Sequence, residues 1–223
     1  DYLKVKNKKK IFSTIPFDLM NNIEPNNITE KSKIRIVIPG TISKARNYEL
    51  IIKVINSLAG KKKLFSFIFL GTKSGSYGSR IFEKLTLLQQ KGFDIKLYDS
   101  FVETVEFDYQ LKKCQIILTA FNITFITTEG HIEYIGVSKE TGVPFTALHY
   151  GKILILPQNY NIPDIIKDQT LTYNSSDELI NFLLNTDALF DKIIEIDKSA
   201  SIKAKQIEKI KKNIYKELII DRN

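Results

Sequence analysis

The 223-residue sequence contains only one cysteine, one methionine and two histidines, and it has no tryptophan. The single cysteine, Cys114, excludes an internal disulfide and is typical of a reducing compartment. It follows Leu111 and precedes the predicted strand segment Gln115–Leu118, which predicts a small buried side chain rather than a reactive thiol. With so few histidines and cysteines, the sequence predicts no metal site.

The sequence also lacks any apolar run of the ~20 residues that a membrane-spanning helix requires, and no secretory signal is visible. These absences predict a cytoplasmic protein. The formal net charge of +8 adds a second option, peripheral attachment to the inner face of an anionic membrane. The lysines are spread over many segments without interleaved aromatic residues, so the sequence predicts a basic, solvated surface and no nucleic-acid partner.

From Lys33 onward, short apolar runs alternate with segments whose apolar residues recur at helical spacing. One helix is marked by Leu50, Ile51, Val54, Ile55 and Leu58, and a second by Ile81, Leu85 and Leu88. Such alternation indicates βαβ units and right-handed crossovers. We therefore predict a Rossmann-like three-layer α/β/α fold with a parallel sheet of about six strands. The strands are expected at Ile34–Gly40, Leu64–Gly71, Phe93–Tyr98, Gln115–Thr119, Lys152–Leu156 and Leu171–Tyr173.

The same pattern divides the chain into three parts. Residues 1–32 are irregular and are predicted to be the tail of a preceding domain and a linker, residues 33–187 the Rossmann-like domain, and residues 188–223 a C-terminal helix. Within the domain, Ser175 and Glu178 have the spacing of a helix capping box. The last helix is expected to dock through an apolar stripe formed by Ile207, Ile210, Ile214 and Leu218.

In an open parallel sheet, ligands bind outside the carboxyl ends of the strands. This rule selects residues 40–46, 71–78, 120–127 and 139–147. The stretch from residue 121 to residue 141 is long for a loop in a compact domain, which favours a functional loop or an inserted hairpin.

The first selected segment, Gly40–Arg46, combines a glycine with two cations before a helix. Gly40 permits close approach of a ligand, and Lys44 and Arg46 supply the positive charge that a diphosphate requires. The segment is neither a P-loop nor a GxGxxG fingerprint. The alternative is an ordinary strand–helix loop with two solvated cations.

The segment Gly71–Gly78 is rich in glycine and serine, which predicts a flexible loop that presents backbone N–H groups to a ligand or is simply a surface loop. The segment from Lys139 to Ala147 contains a predicted helix start. Thr141 can cap that helix and Pro144 suits its first turn. Free N–H groups near Val143 are therefore expected to face an anion.

The order of these segments resembles the C-terminal, nucleotide-sugar-binding domain of B-type (two-Rossmann) glycosyltransferases of the group 1 or family 4 type. The resemblance runs from about Lys33 to Leu184 and rests on the order and spacing of individually loose motifs. These are the strands ending at Gly40 and Gly71, followed by Tyr98–Val102, Tyr109–Ile116, Val143–Lys152 and Asn161–Asp168.

The resemblance implies the donor-binding half of an enzyme that moves a sugar from a nucleotide-diphosphate sugar to an acceptor, in the biosynthesis of cell-surface polysaccharide. It implies no metal and no cofactor, and an acceptor-binding domain outside the 223 residues that would supply the catalytic base. The C-terminal helix would return towards that domain. The donor-contacting residues would be Gly40, Lys44, Arg46, Gly71, Lys139, Val143 and Thr146.

The sequence departs from the family at a pair of glutamates eight positions apart that marks the donor site. The matching positions hold Ser138 and Thr146, and the threonine would bind ribose hydroxyls only weakly. Glu133 and Glu140 lie nearby, but not at the matching positions. The departure favours a catalytically silent nucleotide-sugar or partner-binding module as the alternative. A nucleotide-sugar epimerase is a further alternative that would use His131 and His149, although His149 is more typical of a packing residue.

Overall fold

The computed structural model describes residues 33–122, 124–126, 130–135 and 141–200, together with residues 202 and 209. The expectations for residues 1–32 and for the apolar stripe of the last helix therefore lie outside the described residues. The same holds for Ser138, Lys139 and Glu140 and for the side chain of Glu133.

The core of the protein is a sheet of six parallel strands, which confirms the predicted fold class. The strands that form it and the hairpin between them are β1 (Ile34–Pro39), β2 (Phe65–Leu70), β3 (Asp94–Lys96), β4 (Ile116–Leu118), β5 (Thr124–Ile126), β6 (Ile132–Tyr134), β7 (Ile153–Pro157) and β8 (Thr170–Tyr173). The sheet order is β3-β2-β1-β4-β7-β8, whereas β5 and β6 pair only with each other. All pairings within the large sheet are parallel.

The two longest strands, β1 and β2, explain why the sheet forms here. Every residue of β2 is buried, and five of the six residues of β1 are. Their register runs from Ile34 opposite Phe65 to Pro39 opposite Leu70. Continuous apolar runs of this kind are typical of parallel strands that are covered on both faces.

Helices cover the two faces of the sheet. They are α1 (Tyr48–Ser57), α2 (Gly75–Gln90), α3 (Thr104–Lys113), α4 (Val143–Tyr150) and α5 (Ser176–Leu184), and residues 186–200 are also helical. Apolar residues of α1, α2, α5 and the 186–200 helix form one core cluster with the sheet. Those of α3 and α4 form a second cluster with the opposite face. The result is the predicted three-layer arrangement.

Several local predictions are confirmed. Ser175 Oγ accepts a hydrogen bond from Glu178 N at 3.2 Å, while the Glu178 carboxylate reaches back to Asn174 N at 2.7 Å. The stretch after β4 does contain a hairpin, because β5 pairs with β6 in antiparallel fashion. Cys114 is fully buried, and burial raises the pKa of its thiol to about 11.

The predicted glycine-rich loop at residues 71–78 is shorter than expected. Helix α2 begins at Gly75, so only Gly71–Ser74 forms a loop. Within this helix, Gly78 lies against the backbone of residue 42, where a Cβ atom would approach Ile42 O to 2.4 Å. A sequence rich in glycine thus serves close packing at this position rather than flexibility.

Candidate functional site

The strand order creates a topological switch point between β1 and β4. From β1 the chain continues to β2 on one side, whereas β4 leads to β7 on the other side. Loops leaving the carboxyl ends of β1 and β4 diverge there, which is where open α/β sheets bind their ligands. We call residues 40–47 the β1 loop, and it lies at this point together with Ala120 and Phe121.

Two tyrosines hold the backbone of the β1 loop. The Tyr48 hydroxyl lies 3.3 Å from Gly40 O and 3.1 Å from Thr41 O, and the Tyr77 hydroxyl donates to Arg46 O at 3.2 Å. Burial raises the pKa of Tyr48 to about 12 and also raises the pKa of Tyr77. Both hydroxyls therefore stay protonated near neutral pH and act as hydrogen-bond donors to the loop.

Arg46 directs its guanidinium group into the loop itself. Its Nη1 donates to the carbonyl of Pro39, and its Cζ lies 5.2 Å from the centroid of the Phe121 ring. Its backbone forms an isolated antiparallel bridge with Phe121. Arg46 therefore joins the end of β1 to the segment that follows β4.

The two glycines expected to contact a ligand lie close to other parts of the protein. Gly40 has φ +98°, and a Cβ atom there would lie 2.3 Å from Arg46 Nη2. A Cβ atom on Gly71 would lie 2.4 Å from Gly40 O. The loops after β1 and β2 thus touch through their backbones, and the close approach that the structure shows is intramolecular.

Lys44 differs from Arg46 because Lys44 is exposed, whereas Arg46 is partly buried. The loop around it is fixed: Asn122 Nδ2 donates to Lys44 O at 2.8 Å, and Asn122 N donates to Ala45 O at 3.2 Å. Within the described part of the chain, no acidic group pairs with Lys44. By contrast, the nearby cation Lys73 pairs with Asp99 at 3.4 Å.

Helix α4 begins at the same edge of the sheet, because it follows the carboxyl end of β4 and returns to the amino end of β7. Thr141 Oγ1 accepts a long hydrogen bond of 3.4 Å from Val143 N. Val143 itself is buried. Thr146 Oγ1 donates to Gly142 O at 2.9 Å, which leaves only its lone pairs for a ligand.

The structure therefore brings four of the predicted residues, Gly40, Lys44, Arg46 and Gly71, into one cluster at the ends of β1 and β2. Val143 and Thr146 lie at the same edge through the start of α4. Sequence reasoning did not single out Tyr48, Tyr77 and Asn122, which fix the cluster. A usable signal was the position of Tyr48 directly after the loop.

The two histidines do not converge. His131 is exposed beside β6, at the carboxyl edge. His149 lies in the last turn of α4, towards the amino edge, where its ring packs edge-on against Tyr150 at 4.7 Å. His149 is thus a half-buried packing residue, as predicted. Among the described residues, no group of three or more His, Cys, Asp and Glu side chains is arranged to hold a metal ion.

None of the described helices combines the length and apolar character needed to cross a membrane. The sequence matches no protein-family model and no curated protein.

Several solved structures do share its fold. The C-terminal domain of a group 1 family glycosyl transferase from Francisella tularensis superposes with a TM-score of 0.56 at 16% identity, covering 78% of this chain and 86% of that domain. HepE from Anabaena, crystallised with UDP and glucose, gives 0.54 at 16% identity, covering 84% of this chain and 48% of HepE. A glycosyltransferase from Rickettsia africae gives 0.53 at 14% identity, covering 88% of this chain and 54% of that protein.

The chain thus spans about half the length of the Anabaena and Rickettsia proteins. At these identities the likeness shows the fold alone. The fold is that of the C-terminal domain of B-type glycosyltransferases, which confirms the resemblance recognised in the sequence.

Proposed function

We propose that this chain is the donor-binding half of a glycosyltransferase that moves a sugar from a nucleotide-diphosphate sugar to an acceptor. The observation that carries the proposal is the β1 loop at the switch point, which is rigidly held and presents the exposed cation Lys44. The likeness to HepE, which was crystallised with UDP and glucose, supports this choice of donor.

In this proposal some residues of the cluster supply positive charge and others maintain the conformation of the loop. Lys44 supplies positive charge to the diphosphate, and the start of α4 near Val143 adds the positive end of the helix dipole. Both stabilise the nucleoside diphosphate as it leaves, without a metal ion or a cofactor. Arg46, Gly40 and Gly71 keep the loop in the required shape.

The acceptor and the catalytic base would come from an amino-terminal domain outside the 223 residues, to which the C-terminal helix would return. Thr146 would lie near the donor ribose, and Lys139, outside the described residues, would add charge. We further propose a cytoplasmic reaction in cell-surface polysaccharide synthesis, with the basic surface making peripheral contact with a membrane.

A second candidate is a catalytically silent module that binds a nucleotide sugar or a protein partner. The position of Thr146 favours it, because a neutral side chain whose proton already goes to Gly142 O replaces the expected carboxylate. The two candidates differ in chemistry, since only the first transfers sugar when the amino-terminal half is present.

The proposal is tested by titration calorimetry of the 223-residue chain with UDP and GDP. Replacing Lys44 by alanine removes a charge-assisted contact of about 1.5–3 kcal/mol, so affinity is expected to fall roughly 10- to 150-fold. Lys63→Ala is the matched control, because Lys63 is also an exposed lysine but precedes β2 at the opposite edge. Its affinity should equal that of the wild type.

Equal affinity in the wild type and in Lys44→Ala would contradict the assignment of Lys44 and move the phosphate site towards Val143. If the wild type binds no nucleotide even at millimolar concentration, the donor-binding proposal is wrong and a partner-binding module remains. Sugar transfer by the protein that contains both halves separates the enzyme from the silent module.

A further inference from the structure

A cavity opens at the carboxyl edge of the sheet, on the face covered by α1 and α5. Its volume is about 190 Å³, and it lies between the start of α1 and the loops that follow β4, β7 and β8. We call it the amide pocket because four carboxamide side chains line it: Asn47, Gln158, Asn159 and Asn174.

The floor of the amide pocket is apolar. It includes the buried residues Ala120, Phe121 and Tyr173. The Tyr173 hydroxyl donates to Thr119 O at 3.0 Å, so this side chain presents carbon atoms to the cavity. The Phe121 ring already contacts the Arg46 guanidinium group at 5.2 Å and stacks with a neighbouring tyrosine ring, and it offers no free platform for another flat ring.

The rim has hydrogen-bonding capacity that the protein does not use. Asn47 Oδ1 accepts from Leu50 N at 3.1 Å, which orients the side chain and leaves its NH₂ group available. Across the described residues, the side-chain amides of Gln158, Asn159 and Asn174 form no hydrogen bond with the protein. Each such amide offers two donors and an acceptor side by side.

The backbone around this rim is nevertheless fixed. Gln158 N donates to Tyr173 O at 3.0 Å, Asn47 N donates to Ala120 O at 2.6 Å, and Asn174 N donates to the Glu178 carboxylate at 2.7 Å. The amides therefore extend from held positions around a preformed cavity, which is the usual form of a small-molecule site.

We propose that the amide pocket binds one neutral glycosyl residue. Adjacent hydroxyl groups of a sugar match the paired donor and acceptor of a carboxamide, and its C–H faces match the apolar floor. The volume of about 190 Å³ is below the roughly 300–1,000 Å³ of pockets for drug-sized ligands, which suits a single ring rather than a longer unit. The opening to solvent lets a chain continue outward.

The lining also argues against other ligand classes. No charged side chain lines the cavity, so a phosphate or carboxylate buried there would lose hydration without a compensating partner. A nucleobase would find no free aromatic face on Phe121. Lys44 does not line the amide pocket, although Asn47, Ala120 and Phe121 do, so the pocket adjoins the proposed diphosphate site without using its cation.

The test is a titration of the isotope-labelled 223-residue chain followed by heteronuclear NMR. Glucose, galactose, mannose and N-acetylglucosamine are the neutral probes, and UDP is the charged probe. At least one neutral sugar at millimolar concentration is expected to shift the backbone amides of Gln158, Asn159 and Asn174. A neutral trisaccharide is the last probe. If it binds more tightly than the free sugar, the pocket takes the end of a glycan chain. If it binds equally, the pocket takes a single free sugar.

Substitutions then tie the shifts to the rim. Asn159→Ala and Asn174→Ala should each weaken sugar binding about fivefold, the loss expected for one neutral hydrogen bond. Asn181→Ala is the control, because it removes an equally exposed amide from α5 outside the pocket. It should leave the affinity unchanged, and thermal melting should show that all three variants fold.

Three results would overturn the proposal. They are the absence of shifts with every neutral sugar, equal sugar affinity in the wild type and an Asn159→Ala/Asn174→Ala double variant, and stronger binding of UDP than of sugar at the same amides. If a neutral sugar binds but UDP causes no shifts around Lys44, only the proposed donor site is contradicted.

Discussion

The two edges of the sheet carry similar polar side chains, which are buried and hydrogen-bonded at the amino edge and exposed at the carboxyl edge. At the amino edge, Gln115, Lys152 and Gln169 each directly precede a strand, and all three are buried. Lys152 Nζ donates to Lys112 O at 2.8 Å, and Gln169 Nε2 donates to Lys152 O at 3.1 Å. At the carboxyl edge, the amides of the amide pocket are exposed and make few contacts with the protein.

This difference separates the polar groups that stabilise the fold from those left to bind. A buried amide must be paired, because an unpaired polar group inside a protein costs about 1–3 kcal/mol. An exposed amide over a fixed backbone has no such requirement, and its hydrogen bonds remain available to a ligand. At the carboxyl edge, rigidity instead comes from glycines, tyrosines and backbone contacts around the β1 loop.

The largest effect on stability is expected at Gly71, where the contact between the two loops requires a residue without a side chain. In Gly71→Ala the new methyl group would lie 2.4 Å from Gly40 O, so the loops after β1 and β2 must move apart. We expect the free energy of unfolding to fall by about 3 kcal/mol, at the upper end of ordinary overpacking. Urea denaturation followed by circular dichroism measures this change.

Gly60→Ala is the matched control for that substitution. A Cβ atom on Gly60 would meet nothing within 4 Å, so its effect should stay within about 0.5 kcal/mol. If the two variants were equally stable, the contact between the loops would not be rigid. The rigidity of the carboxyl edge would then not come from this contact.

A smaller effect is expected when the same chemical group is removed from each edge. Gln115 Oε1 accepts from Arg35 N at 2.8 Å, and its Nε2 donates to Lys113 O at 3.2 Å. Gln115→Ala leaves the Arg35 N–H without this partner, and we expect a loss of about 1–2 kcal/mol. Asn159→Ala, at the exposed edge, should change stability by less than about 0.5 kcal/mol. Thermal or urea unfolding of the two variants under identical conditions measures both changes. Equal losses of stability would contradict the expected difference between the two edges.

The central sheet was predictable because its strands are continuous apolar runs separated by helical patterns. Ile34–Pro39 and Phe65–Leu70 were located to within one residue at either end, since burial on both faces leaves no polar position to confuse the pattern. The start of α2 was missed because Gly75 and Gly78 suggest a loop. Only the tertiary contact with the Ile42 carbonyl shows why a helix needs a glycine there.

The position of the β1 loop at the carboxyl edge was predictable, but the surroundings of each of its side chains were not. The rule on carboxyl ends of strands selected Gly40, Lys44 and Arg46 correctly as neighbours. Whether a cation faces solvent or its own backbone depends on the path of the loop, which the sequence does not encode locally. The amide pocket was missed for a similar reason: Asn47, Gln158 and Asn174 are far apart in the chain, and each is typical of an ordinary cap or turn.

A smaller stabilising contribution than that of Gln115 is expected from Glu106 at the start of α3. Its Oε1 accepts from Lys96 Nζ, from the Tyr98 hydroxyl and from Gln110 Nε2. The hydrogen bond from Lys96, followed by those from Tyr98 and Gln110, lowers the pKa of Glu106 to about 2. The carboxylate is about a third exposed, so solvent screens the interaction and Glu106→Gln should cost less than about 1 kcal/mol at neutral pH.

The sign of the pH dependence follows from the lowered pKa. The contribution of Glu106 is fully present above the pKa of an unfolded glutamate, about 4.3, and is lost as the pH falls from there towards 2. The melting temperatures of wild type and Glu106→Gln should thus differ by about 1–3 °C at pH 7 and converge over this range. Glu103→Gln is the control, because Glu103 is exposed and has no ion-pair partner in the described part of the chain, so that variant should melt close to the wild type at both ends of the range. A Glu106→Gln difference that stays constant from pH 7 to pH 2 would show that the carboxylate charge does not stabilise this part of the carboxyl edge.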